Sequence, residues 1–164
     1  MNKNKHTLKE IFFTAVANYK KKDFKTAEIT CYKILNIDPN HFDSISLWAS
    51  ISAINQNYKS AKDLLSKAIE IQPKNVTILN NLGTACKELG EFKEAIKFYE
   101  KTIAINPKHT NAHYNLGVVF YSLKDLKKSK SYLQKTVEMQ NNFALAFFSL
   151  GNVHVDLKEF ENAV

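Results

Sequence analysis

Arginine is absent from this sequence: all 23 basic residues are lysine. The planar guanidinium fork, the usual means of gripping carboxylate, phosphate or guanine in two places at once, is therefore missing. Cysteine is scarce, and Cys31 and Cys86 both fall on inward helix positions in different parts of the chain. They read as reduced core thiols, with no disulfide framework, and the cytoplasm is the expected location. No apolar run approaches the length of a membrane span. The basic start before Ile11-Phe12-Phe13 contains Lys9 and Glu10 and leads into no sufficient apolar stretch, so it reads as the start of a helix and not as a signal peptide. Also missing are a nucleophile elbow, a phosphate loop, a CxxC pair and a paired-carboxylate arrangement. Catalysis, a cofactor and a metal centre have nothing to be built from.

What is present is a repeat. From Val76 to His109, Leu79, Leu82, Gly83 and Cys86 recur at helical spacing. A break follows at Leu89-Gly90-Glu91, and Phe92, Ala95, Ile96, Tyr99, Ile103 and Ile105 then mark a second amphipathic helix ending at Pro107. A shift of 34 residues finds the pattern again in both directions. Gly83 aligns with Ala15, Ala49, Gly117 and Gly151; Ala95 aligns with Ala27, Ala61, Ser129 and Ala163. A polar stretch, 1–7, precedes repeats at 8–41, 42–75, 76–109 and 110–143, with a partial fifth at 144–164 that stops inside its second helix. The expected fold is all-α, a solenoid of antiparallel helix pairs in which each unit buries its apolar face against its neighbours.

Local chemistry fits that plan. Asp23, Asn57 and Asp125 stand where second helices start and can cap them, with Glu91 and Glu159 as weaker caps. Small residues in the Gly83 and Ala95 slots let two helices cross closely. Gly151 is expected to serve the same crossing, and Gly90 the turn. The last unit would leave Phe147, Leu150 and Phe160 without a following neighbour, the condition of a fragment or of a self-associating end.

The candidate surface lies on the first helices. Asn80, Asn81 and Thr84, then Asn111, Tyr114, Asn115 and Tyr121, then Phe148 and Asn152, occupy positions not used for packing within a repeat. Asn81 and Asn115 share one slot and should form rungs. A carboxamide both donates and accepts, which suits it to holding an extended peptide backbone. Tyr114, Tyr121 and Phe148 add apolar area.

Leu82-Gly83, Ala95, Tyr99 and Pro107, with Leu116-Gly117 and Leu150-Gly151, resemble the tetratricopeptide repeat signature over nearly the whole chain. Departures are Trp48 in place of Leu, Thr102 and Thr136 in place of Ala, and Asn141 in place of Pro, the last suggesting a looser junction between repeats four and five. The resemblance implies a right-handed superhelix whose first helices line a concave groove for a peptide or protein. Asn81 and Asn115 are similar to the asparagine ladder in the tetratricopeptide arm of O-linked N-acetylglucosamine transferases. Only the middle Asn matches the carboxylate clamp of chaperone cochaperones, which argues against that ligand.

Lys25, Lys59, Lys93 and Lys127 share one slot on the second helices, and Lys33, Lys67, Lys101 and Lys135 another. Without arginine, and broken by Asp63, Glu70, Glu94 and Glu100, these rows read as a solvated outer face and not as a nucleic-acid track. His109 and His113, four apart, and His154 read as structural residues, the latter two replacing inward aromatics. The expected function is a noncatalytic module that binds an extended peptide or helix of a protein partner, with no nucleic acid and no membrane among its partners. The alternatives are a substrate-recruiting arm of a larger glycosyl- or sulfotransferase and a scaffold forming homo-oligomers through its open C-terminal repeat.

Overall fold

The computed structural model describes residues 2–162, with side chains from 7 to 158. The regular elements among them are helices: α1 (Asn2–Lys20), α2 (Phe24–Ile37), α3 (Phe42–Ile54), α4 (Tyr58–Ile71), α5 (Val76–Glu88), α6 (Phe92–Ile105), α7 (Thr110–Ser122), α8 (Leu126–Met139) and α9 (Ala144–Asn162). This is the all-α arrangement of helix pairs that the period implies. Among the described residues, no helix is long and apolar enough to cross a membrane. The chain divides into two compact units, Met1–Ile78 and Leu79–Val164, and the division falls inside α5.

The turn inside each repeat is held by two devices. The side chains of Asp23, Asn57 and Asp125 accept from the backbone N–H of Thr26, Ser60 and Lys128 at 3.1, 3.3 and 3.1 Å, as expected of caps. Glu91 makes no side-chain cap bond. One residue earlier the backbone enters the left-handed region, with φ of 62° at Lys22, 58° at Gln56, 76° at Gly90 and 62° at Lys124. Only one of these four turns carries glycine, the residue that enters this region without steric cost.

The turn between repeats carries a cap that the sequence reading missed. The last residue of a repeat accepts from the third N–H beyond it: His41 Nδ1 from Ser44 at 3.2 Å, Asn75 Oδ1 from Ile78 at 3.1 Å, and His109 Nδ1 from Ala112 at 3.2 Å. Phe143 holds the same slot at the next junction and its ring has no acceptor to offer.

In the first unit α1 packs on α2 and α3, α2 on α3, and α3 on α4. Ala15, Ala27, Cys31, Ile34, Ile45 and Ala49 form its buried interior. Trp48 is too large for the leucine slot it occupies. Its indole leans to α2, donating from Nε1 to Glu28 Oε1 at 2.9 Å and meeting the Tyr32 ring edge-on at 6.1 Å. At the N-terminus α1 begins at Asn2, so it takes in the polar stretch read as a tail.

In the second unit α6 packs on α7, α7 on α8 and α9, and α8 on α9. Cys86, Ala95, Tyr99, Leu116, Val119 and Phe120 make one buried cluster, and Leu133, Leu150 and Val153 another. A Cβ on Gly83 would lie 2.5 Å from Tyr99, and one on Gly117 2.6 Å from Leu133. Ser129 Oγ donates to the Gly117 carbonyl at 2.8 Å, so the two small slots do meet at the crossing. Thr102 and Thr136, in the alanine slot, are fully buried, and their hydroxyls are satisfied by donating back to the carbonyls of Phe98 and Tyr132, each at 2.9 Å.

Repeat five departs from expectation. α9 runs on as one helix to Asn162, through Lys158 and Glu159, where the turn should fall. Gly151 consequently faces open space, which corrects its assignment to a helix crossing. For the same reason His154 is exposed where an inward position was expected. Phe147 is exposed as anticipated, whereas Leu150 is buried against Leu133 and Val153. The expectations for the side chains of Glu159, Phe160 and Ala163 lie outside the described residues.

Candidate functional site

All nine candidate residues fall in the second unit, on α5, α7 and α9. Asn80, Asn81 and Thr84 are half-buried on α5; on α7 Asn111 is exposed and Tyr114, Asn115 and Tyr121 are half-buried. Asn152 is half-buried on α9, and Phe148 is 70 % exposed, the most exposed of the large apolar side chains described.

These residues differ in how free they are. Thr84 is committed to structure: its hydroxyl donates to the Asn80 carbonyl at 3.1 Å and accepts from Tyr99 OH at 3.2 Å. Burial pushes the Tyr99 phenol well above its ordinary value, so it stays a donor. Tyr121 donates to Asp156 Oδ2 at 2.7 Å, tying α7 to α9, and that bond raises its pKa. Asp156 is the partner that sequence reasoning missed. Tyr114 meets the Phe143 ring at 4.9 Å and, with Tyr121, packs on the cluster of Leu133, Leu150 and Val153. Both tyrosines therefore hold α9 against repeat four while keeping part of each ring accessible.

Asn80 is the reverse case. Its Oδ1 is buried and has no hydrogen-bond partner. An acceptor left this way costs about 1–3 kcal/mol unless something donates to it. Asn81 and Asn115 sit at the same register position of α5 and α7, both half-buried.

Charge is segregated. α7 contains no Asp, Glu or Lys, and the one lysine of α5, Lys87, lies 2.8 Å from Glu88. The lysine rows are on the second helices, where Lys101 lies over the Phe98 ring at 5.8 Å and Lys135 over Tyr132 at 5.9 Å. Exposed lysines whose ammonium groups lie over ring faces fit a solvated outer face.

The remaining chemistry is structural. His113 is buried with Nε2 3.0 Å from the Pro107 carbonyl, beside the Tyr132 ring. No group of His, Cys, Asp or Glu among the described residues could hold a metal. Cys31 and Cys86 are buried and form no disulfide, and burial pushes the Cys31 thiol up to about 12, far from the range of a reactive thiolate. An open cleft of about 420 Å³ beside Trp48 in the first unit is lined by Asn57, Lys59, Ser60, Asp63 and Lys67. Its one hydroxyl, Ser60 Oγ, lies 3.3 Å from Ser52 Oγ.

Three family models match the chain: the model described as TPR repeat over 83–124, that described as Tetratricopeptide repeat over 110–143, and that for anaphase-promoting complex, cyclosome, subunit 3 over 20–102. No curated protein sequence matches. Among solved structures the chain is similar to MamA, at 24 % identity and a TM-score of 0.83 over 88 % of this chain and 84 % of that one. It is similar to PilF of Pseudomonas aeruginosa at 20 % identity, with a TM-score of 0.81 over 95 % and 71 %. It is also similar to YrrB, described as a TPR protein with an unusual peptide-binding site, at 21 % identity and a TM-score of 0.78 over 94 % and 79 %.

Proposed function

The chain belongs to the tetratricopeptide repeat family, and on that premise we propose that it is a noncatalytic protein-interaction module working in the cytoplasm. Its ligand is an extended, uncharged peptide segment laid along the first helices of the second unit. Asn81 and Asn115 hold the peptide backbone through their carboxamides, and Asn80 turns its buried Oδ1 outward to receive a backbone N–H. Phe148 and the accessible edges of Tyr114 and Tyr121 take apolar side chains. The observation that carries this reading is the combination of a buried, unpartnered Asn80 acceptor with an α7 surface free of charge in a protein of net charge +7. The fold shared with YrrB, a protein with a peptide-binding site, supports it. A substrate-recruiting arm of a transferase would use the same face.

The test is selection of peptides from a random display library on the immobilised protein. Selected peptides are expected to be poor in charge and to bind Asn81→Ala/Asn115→Ala about tenfold more weakly, the loss of one or two hydrogen bonds. Peptides that bind the double variant and the parent equally would place the site elsewhere.

A second reading has an observation of its own. Leu145, Phe147 and Val155 of α9 are 59 %, 49 % and 57 % exposed, and Gly151 faces open space, so this helix could pair with another copy. Light scattering across concentration decides it, and a strict monomer removes it.

A further inference from the structure

We infer that His109 makes its repeat junction acid-labile, while the junction capped by Asn75 is indifferent to acid. In both the last residue of one repeat caps the first helix of the next, at 3.2 and 3.1 Å. Asparagine does this at any ordinary pH. Imidazole does it only while Nδ1 has no proton, because a protonated ring is a donor at both nitrogens. Protonation also sets a positive charge at the positive end of a helix. One event thus removes the side-chain cap, leaving the Ala112 N–H only its bond to the His109 carbonyl at 3.0 Å, and sets repulsion in its place.

The surroundings of the His109 ring are defined. His109 has Lys108 beside it in sequence and His113 one turn along α7. Behind His113 stands Tyr132 of α8, which feels Glu100 of α6 and Lys128 of α8. α5 brings no titratable group between Val76 and Ala85. Burial, with a smaller push from His113, holds His109 below its ordinary value of 6.5, partly offset by a hydrogen bond with its own backbone. The unfolded chain therefore takes the proton first. The His109 cap contributes fully above about pH 6.5 and is lost as pH falls through and below that value. Because Asn111 lies on the first turn of α7, uncapping this helix loosens the start of the candidate surface. The acid response of this cap does not depend on whether that surface takes a peptide.

Amide hydrogen exchange of the full chain, followed by NMR at about pH 7.5 and about pH 5 and corrected for intrinsic rates, tests it. Protection of Ala112 relative to Ile78 is expected to fall roughly fivefold in acid, the weight of a typical N-cap. His109→Asn, which installs the residue already used at 75, is expected to keep that protection at both pH values. An equal response at both amides, no response at Ala112, or acid lability persisting in the asparagine variant would each overturn the inference. So would nitrogen shifts placing the proton on Nδ1 at the higher pH.

Discussion

Gly117 and Gly151 occupy the same position of successive repeats, yet one is crowded and the other faces open space. A Cβ on Gly117 would meet Leu133 Cγ at 2.6 Å, and one on Gly151 meets no atom within 4 Å. The difference is the second helix: α8 folds back over α7, whereas α9 runs straight to Asn162. Glycine in this slot is thus demanded by the partner helix and not by the helix that carries it. Where the partner is missing, the same residue is only a weak helix former.

The largest effect should come from filling the crowded slots. Gly83→Leu and Gly117→Leu are expected to cost about 3 kcal/mol or more, read as a fall in the denaturation midpoint, because Tyr99 and Leu133 are fully buried and cannot step aside. Ser129→Ala should cost about 1 kcal/mol by removing the bond to the Gly117 carbonyl. Gly151→Ala should be the smallest effect and opposite in sign, a gain of up to about 1 kcal/mol from helix propensity alone. A clear loss in that last variant would mean that a helix covers α9 in solution, and the contrast between the two glycines would collapse.

The period, the helix pairs and the caps at Asp23, Asn57 and Asp125 were legible because they depend on spacing along the chain. So was the structural role of His113, since a polar residue in an apolar slot announces a local partner. The first-helix caps at His41 and His109 were not, because histidine is an uncommon N-cap and its acceptor works only from one tautomer; Asn75, a common N-cap, was missed although its residue type carried the signal. The bond from Tyr121 to Asp156 joins residues 35 apart, and no local signal pairs them. Thr84 read as open surface because its tie to Tyr99 depends on how α6 leans on α5. His154 and Gly151 were misread for one reason: periodicity assumes that the next helix is there. Asn81 and Asn115 remain legible as a matched pair, and their role is a proposal.

Trp48 is the single tryptophan, and it belongs to the first unit. Its indole is bonded to Glu28 and faces Tyr32 edge-on, so its emission colour reports whether α2 and α3 are still docked. Far-ultraviolet ellipticity, by contrast, sums every helix in the chain. Superimposing the two signals on one heating ramp therefore separates the melting of one half from that of the whole, with no label added to the protein.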